Sequence, residues 1–171
     1  MQLGGKSYFW LEKTNVVSMI QEYQVSGFRV REYEELGSTN TEAERVGWSE
    51  LEDKMVILTY RQTQGRGQVG NHWESEPGKN ISMTVVFKPR ELPAGQQFAV
   101  SMVIALGACD FISRYVNECS VKWPNDIYVG DRKISGILIE HSIMGRYVGG
   151  SLCGIGVNIN QEQFLSDAPN P

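Results

Sequence analysis

Residues 121–141, VKWPNDIYVGDRKISGILIEH, predict a β-hairpin and thereby the class of the fold. Two stretches rich in Val, Ile and Tyr flank Gly130 and Asp131, a pair that is typical of a tight turn. A second turn, at residues 144–145, leads into another strand-like stretch, YVGGSLCGIGVNIN, at residues 147–160. Successive hairpins of this kind indicate a sheet whose strands are largely antiparallel.

Upstream of the hairpins, the sequence predicts further strands and two helices. The strands, where β-branched and aromatic residues cluster, are at residues 28–33, 55–60 and 81–87. A helix is expected from about residue 40 to 46, because Thr39 followed by Glu42 fits a capping box, with Ser38 and Asn40 as neighbouring cap formers. Apolar residues recur every three or four positions between 94 and 116, which predicts a helix with one core-facing side. The expected fold class is α+β, a mixed, largely antiparallel sheet with helices packed on one face.

The composition is that of an ordinary globular chain. Of 171 residues, 41% are hydrophobic and 21% charged, and the net charge of −4 argues against nucleic-acid binding by broad phosphate neutralisation. The three cysteines form neither a CxxC pair nor a disulfide framework and are expected to be buried or half-buried thiols. The two histidines lie too far apart in sequence to suggest a metal site.

The chain shows no repeat and no internal linker, so residues 1–171 are predicted to form a single domain. It has no secretory leader pattern and no apolar run near the roughly 20 residues of a membrane span. A cytoplasmic protein is therefore expected.

A glycine-rich segment, QTQGRGQVGNHW at residues 62–73, follows a predicted strand. It contains the bare spacing of the dinucleotide fingerprint, but it leads toward another strand rather than a helix, and no Gly-Lys-Ser/Thr closes it as in a P-loop. Arg66 lies between two glycines, where its guanidinium could approach an anion. Trp73 could stack on a planar group, and Gln62 stands at a strand end. A mobile surface loop is the alternative.

Two further segments could carry chemistry. Lys122, Asp126 and Lys133 fall within twelve residues across the hairpin turn. Lysines supply positive charge against a carboxylate or phosphate, and an aspartate can hold Mg²⁺ beside substrate phosphates. A charged hairpin with a solvated face is the alternative. In GIGVNIN, residues 154–160, glycines inside a strand mark a bulge or a close ligand, and Asn158 suits an adenine edge.

Taken together, four segments resemble the biotin–protein ligases, also called biotin–[acetyl-CoA-carboxylase] ligases. They occur in family order within roughly residues 28–165: STN at 38–40, QTQGRGQVGNHW at 62–73, KWPNDIYVGDRKISGILIE at 122–140 and GIGVNIN at 154–160. The resemblance implies the catalytic fold of that family, which is like that of class II aminoacyl-tRNA synthetases.

The resemblance also implies a two-step reaction. Biotin and Mg-ATP give biotinyl-5′-AMP and pyrophosphate, and the adenylate then acylates a lysine of a biotin carboxyl carrier protein or domain. Mg²⁺ would be the cofactor, ATP and biotin the substrates, and the carrier the partner, while a homodimer is left open. Positive charge fixed where the carboxylate meets the α-phosphate would stabilise the transition state.

The roles of individual residues follow from the family motifs. Lys133 and Arg66 are the catalytic candidates, with Lys133 bridging the biotin carboxylate and the α-phosphate, and Asp126 is the metal candidate. The residues expected to contact biotin are Ser38, Thr39, Asn40, Gln62, Gly65, Arg66, Gly67, Lys133, Gly136 and Gly154. Those expected to contact ATP or the adenylate are Gln68, Trp73, Lys122, Trp123, Asn125, Gly156 and Asn158.

The chain departs from the family pattern in charge and in length. Gln68 and Asn71 stand where many members have arginine, which predicts weaker retention of the adenylate. Members normally continue into a further helix and a small SH3-like barrel, which this chain is expected to lack, and no winged-helix domain is expected before residue 28.

Three other functions compete with that of a complete biotin–protein ligase. They are a biotin-responsive repressor, a catalytically incomplete biotin-binding fragment and a relative of the lipoate–protein ligases. The acidic balance and the absence of a basic recognition helix argue against a repressor. The loop string GRGQVGNHW favours biotin over lipoate.

Overall fold

The computed structural model describes residues 18–68 and 70–165. The predicted single domain of residues 1–171 extends beyond these ranges at both ends. In chain order the elements are β1 (Met19–Val25), β2 (Phe28–Tyr33), α1 (Thr39–Val46), β3 (Met55–Thr59), β4 (Gly65–Arg66), β5 (His72–Trp73), β6 (Asn80–Phe87), a 3-10 turn (Ala94–Gln96), α2 (Phe98–Ile112), β7 (Cys119–Lys122), β8 (Asp126–Val129), β9 (Arg132–Met144) and β10 (Tyr147–Asn158).

Eight strands form one sheet in the order β1-β2-β3-β6-β10-β9-β8-β7, and β4 pairs with β5 in a separate ribbon. Strands β2 and β3 run parallel, and the other neighbours in the described part of the sheet run antiparallel. The prediction of a mixed, largely antiparallel sheet is confirmed.

The predicted hairpins are confirmed and set the register at the centre of the sheet. β8 and β9 meet across Gly130, which has the left-handed φ of 55° that such a turn requires. β9 and β10 meet across Gly145, with a φ of 62°. This register places Gly136 directly opposite Gly156. The sheet therefore presents two glycines side by side on adjacent strands.

The two helices pack against opposite faces of the sheet, which corrects the expectation that both would lie on one face. Ala43 of α1 belongs to a buried cluster with Val86 and Leu152. Ala105 of α2 belongs to a second cluster that contains Ile155. Because successive residues of a strand point to opposite sides, Leu152 and Ile155 of β10 lie on different faces. We call them the α1 face and the α2 face; Leu152, Gly154 and Gly156 lie on the α1 face.

The capping-box prediction for α1 is wrong. Ser38 is the N-cap, with an extended backbone and no side-chain hydrogen bond to the helix. The Thr39 hydroxyl instead lies 2.8 Å from the Thr84 hydroxyl, and the Glu42 carboxylate pairs with Arg45 at 2.7 Å. The Thr39 hydroxyl is thus engaged with the sheet and the Glu42 carboxylate with a residue of the same helix, so neither side chain caps α1.

The predicted helix at 94–116 is shorter than expected, because a 3-10 turn precedes α2 and α2 ends at Ile112. The segment Ala94–Ile112 is nevertheless long and apolar enough to cross a membrane by length and composition, contrary to the sequence-based expectation. One such helix is weak evidence for a span. Here Val100, Ala105 and Ile112 are buried within the protein.

Candidate functional site

A cavity of about 170 Å³ lies beside the glycines of the α1 face. Strands β6, β9 and β10, the start of α1 and the glycine-rich loop all contribute to its wall. It brings together most of the residues predicted from sequence: Ser38, Thr39, Asn40, Gln62, Arg66, Gly67, Gln68, Trp73, Asn125, Asp126, Lys133, Gly136, Gly154 and Gly156.

Four predicted residues do not line this cavity. Lys122 is exposed and its Nζ lies 3.3 Å from the Tyr128 hydroxyl. Trp123 is 48% exposed. Gly65 is buried within the β4–β5 ribbon, where it pairs with Trp73 and a Cβ would overlap the Trp73 carbonyl oxygen. Asn158 ends β10, and its buried Oδ1 has no hydrogen-bond partner among the described residues.

The cavity also contains residues that the sequence reasoning missed. They are His72, Ser82, Met83, Ile137, Leu138 and Ile155; Asn71, named from the sequence only as a departure in charge, lines the cavity too. For Ser82 a signal was available. In NISMTVVF every second residue of β6 is buried, and three of these, Asn80, Ser82 and Thr84, are polar. Hydroxyl side chains at the buried, alternating positions of a central strand indicate a polar site on the face to which they point.

A network of polar side chains, which we call the polar floor, joins α1 to the sheet. The backbone N–H of Thr39 donates to Gln62 Oε1 at 3.0 Å. Thr84 Oγ1 lies 2.8 Å from Thr39 Oγ1 and 2.5 Å from Asn40 Oδ1. Thr39, Asn40 and Thr84 are each at most 3% exposed. Buried polar atoms that are satisfied in this way hold one another in fixed orientations.

Glu140 connects the polar floor to the glycine-rich loop. Its Oε2 accepts a hydrogen bond of 2.7 Å from Asn40 Nδ2 and another of 2.7 Å from the Arg66 guanidinium. The same guanidinium lies 3.3 Å from Glu44 of α1. The loop is thus tied through Arg66 to both a helix and a strand. Sequence reasoning did not identify Glu140, which is 74 residues from Arg66.

Side chains rest directly on three cavity-lining glycines of the α1 face. A Cβ on Gly136 would come within 2.7 Å of the Trp73 ring, and one on Gly156 would overlap that ring. A Cβ on Gly154 would lie 2.5 Å from Asn40 Oδ1. The glycines were expected to leave room for ligands. In this structure they receive Trp73 and Asn40, which are themselves part of the cavity wall.

A lysine and a carboxylate face each other in the cavity. Lys133 Nζ lies 2.8 Å from Asp126 Oδ1, and both side chains are largely buried, at 28% and 19% exposed. Nζ is also 5.8 Å from the centre of the Trp73 ring. Within the described ranges, no cluster of three or more His, Cys, Asp or Glu side chains is placed to hold a metal ion.

The cysteines are buried or half-buried thiols, as predicted. Burial raises the pKa of Cys153 to about 12. Burial together with the hydrogen bond to Cys109, whose Sγ is 3.2 Å away, raises the pKa of Cys119 to about 11. None of the three cysteines lines the cavity, so the site's chemistry does not rest on them.

Similarities to known proteins agree with this description of the site. The cavity combines a polar floor, a loop arginine and a lysine–carboxylate pair, so it offers both hydrogen-bonding and charged groups to a small molecule. The chain belongs to the biotin/lipoate A/B protein ligase family, whose pattern matches residues 33–158. This confirms the family and the fold inferred from the sequence motifs.

Several proteins named as biotin ligases are similar to this chain. The bifunctional ligase/repressor BirA of Escherichia coli is 30% identical over 159 residues, 91% of this chain and 48% of that protein. The biotin–[acetyl-CoA-carboxylase] ligase of Paracoccus denitrificans is 33% identical over 124 residues, 71% of this chain and 51% of that protein. The solved structure of the biotin protein ligase from Aquifex aeolicus in complex with biotin and ATP matches with a TM-score of 0.63 at 27% identity, over 79% of this chain and 54% of that one. The chain spans about half the length of the relatives it matches.

Proposed function

We propose that this chain is the catalytic domain of a biotin–protein ligase. It would activate biotin with Mg-ATP to biotinyl-5′-AMP and pyrophosphate, then transfer biotin to a lysine of a biotin carboxyl carrier protein or domain. The observation that carries the proposal is the cavity itself, which combines a polar floor for a neutral hydrogen-bonding head group with the Lys133 ammonium for an anion. We place the activity in the cytoplasm, the compartment expected from the sequence.

The polar floor supports biotin rather than lipoate as the substrate. The ureido group of biotin has two N–H donors and a carbonyl acceptor, whereas the dithiolane ring of lipoate has no donor. Thr39 and Gln62 line the cavity, and a lipoate ring beside them would leave their remaining donor and acceptor capacity without partners, which is costly where the residue is buried, as Thr39 is. A biotin head group can satisfy it.

Lys133 would hold positive charge where the biotin carboxylate meets the α-phosphate of ATP. Two anions repel at that point, so a fixed ammonium in a largely buried position favours the transition state. In this structure Asp126 holds the ammonium in the cavity at 2.8 Å. When biotin and ATP enter, their negative oxygens would share Lys133 with Asp126.

The residues present fit a magnesium ion that is held mainly by phosphates. Mg²⁺ in nucleotide sites is bound through one or two carboxylates together with substrate phosphates. Asp126 supplies one carboxylate at the cavity wall. Bound Mg²⁺ would neutralise charge on the phosphates.

Transfer to a carrier tests the proposal. The chain is incubated with biotin, Mg-ATP and a biotin carboxyl carrier domain, and the acceptor is analysed by mass spectrometry. We expect the mass of one biotinyl group on one lysine, and none when that lysine is changed to arginine. Transfer of lipoate in preference to biotin would contradict the proposal.

A further inference from the structure

Ser82 is a buried cavity residue with an uncommitted hydroxyl. It lies in the middle of β6, on the same face as Thr84, and lines the cavity. The residue is only 3% exposed. Its Oγ has no hydrogen-bond partner in the part of the chain that the structure describes. A buried hydroxyl without a partner destabilises the protein that contains it, so its presence at this position calls for a physical reason.

The surroundings of Ser82 indicate what its hydroxyl faces. In the sheet it is paired with Thr59 of β3 on one side and with Gly156 of β10 on the other. The Trp73 ring rests on Gly156, and its Nε1, also buried, has no partner among the described residues either. Ser82 therefore lies between the polar floor and the indole, where two uncommitted polar groups border the same cavity.

The neighbouring polar groups are already partly used within the protein. The Thr39 N–H already donates to Gln62 Oε1, and Thr84 Oγ1 is hydrogen-bonded to Thr39 and Asn40. Ser82 keeps its donor and both of its acceptor lone pairs. A cyclic urea brings two N–H donors and one carbonyl acceptor. Ser82 can therefore bind such a group without breaking an existing hydrogen bond, whereas the residues of the polar floor are already bonded to one another.

We propose that Ser82 is a biotin-binding residue whose hydroxyl forms a hydrogen bond with the ureido group of the substrate. The inference rests on the proposed function and adds a specificity-determining contact to it. The hydroxyl is unsatisfied without ligand and satisfied with it. Removing it should therefore affect the stability of the free protein and the binding of biotin in opposite directions.

Ser135 provides a matched control. It is fully buried on β9, and its Oγ likewise has no partner among the described residues. It is paired with Val157, which belongs to the cluster on the α2 face, and it does not line the cavity. Ser82→Ala and Ser135→Ala thus each remove one buried hydroxyl. The first hydroxyl lies in the site and the second lies away from it.

The experiment measures biotin and ATP binding by titration calorimetry and thermal unfolding of the ligand-free protein. For Ser82→Ala we expect the Kd for biotin to rise roughly threefold to tenfold, the loss of one neutral hydrogen bond. We expect its Kd for ATP to stay unchanged and its Tm to stay equal or rise. Ser135→Ala should leave both Kd values unchanged.

Unchanged biotin affinity in Ser82→Ala, or an equal loss in Ser135→Ala, would overturn the inference and leave the proposed function standing. Failure of the unmodified chain to bind biotin would overturn both.

Discussion

The Lys133 ammonium and the Asp126 carboxylate form an ion pair of 2.8 Å across the β8–β9 hairpin. The pair is formed by the strand register, in which Asp126 is opposite Gly136 and Tyr128 is opposite Lys133, with a bulge between. The hairpin that sets the fold therefore also places the charge that the proposed chemistry needs.

Lys133→Ala should reduce biotin-dependent pyrophosphate release by about a hundredfold or more, since it removes the charge proposed to stabilise the transition state. Arg132→Ala is the control, because that neighbouring side chain is exposed and does not line the cavity. Its rate should stay within about twofold of the unmodified chain. Circular dichroism should show both variants folded. Unchanged release in Lys133→Ala would refute the assigned role.

Arg66→Ala should weaken biotin and adenylate binding by about tenfold and ATP binding less, because the guanidinium ties the loop beside the polar floor. Glu140→Gln should show part of the same loss, since it weakens the 2.7 Å contact. Glu44→Gln should show little, because its contact is longer and more exposed. Equilibrium binding of the three ligands is the measurement. Equal losses for all of them would argue against this role of the loop.

Gln68→Arg should slow the dissociation of biotinyl-5′-AMP about threefold to tenfold, because it adds a positive charge at the cavity wall. Gln68→Met is the matched control, since it has similar length and no charge. Stopped-flow or filter-binding measurements give the dissociation rate. A rate that does not slow in Gln68→Arg would show that the missing arginine is not what limits retention.

Gly156→Ala should displace Trp73, because its Cβ would overlap the indole ring. We expect a loss of about 1–3 kcal/mol in unfolding free energy and weaker ATP binding. Gly107→Ala makes the opposite change: it lies inside α2 with nothing within 4 Å of an added Cβ, and should stabilise by about 0.5–1 kcal/mol. Urea unfolding measures both. A neutral Gly156→Ala would contradict the packing of Trp73.

His141 should make stability depend on pH. Burial lowers its pKa below the ordinary 6.5, and its Nδ1 lies 2.8 Å from Ser151 Oγ. The unfolded chain then takes up a proton more readily than the folded one, so this stabilisation is full above about pH 6.5 and is lost as pH falls through the folded pKa. In His141→Gln, unfolding free energy should fall less between about pH 7.5 and about pH 5. Parallel profiles for the two proteins would exclude His141 as the cause.

The sequence predicted the parts of the molecule that local chemistry decides. The turn at Gly130 and the strands on either side are encoded by neighbouring residues, and so are the glycines of β10. The placement of helices on opposite faces is not, because alternation within a strand identifies two faces without saying which helix covers each.

The residues of the site divide in the same way, into those that the local sequence reveals and those that it does not. Motif residues such as Lys133 could be identified in the sequence. The contact of Arg66 with Glu140 and the uncommitted hydroxyl of Ser82 depend on strands far apart in the chain, so no short pattern reveals them. The capping box failed for a related reason, since Thr39 uses its hydroxyl in the polar floor.

The most direct test of the central claim is biotin-dependent pyrophosphate release from Mg-ATP by this 171-residue chain, without any acceptor protein. The account predicts a rapid burst of about one equivalent per chain, followed by slow turnover as the adenylate leaves. Biotin binding with no release of pyrophosphate would contradict it, because the cavity would then hold biotin without activating it.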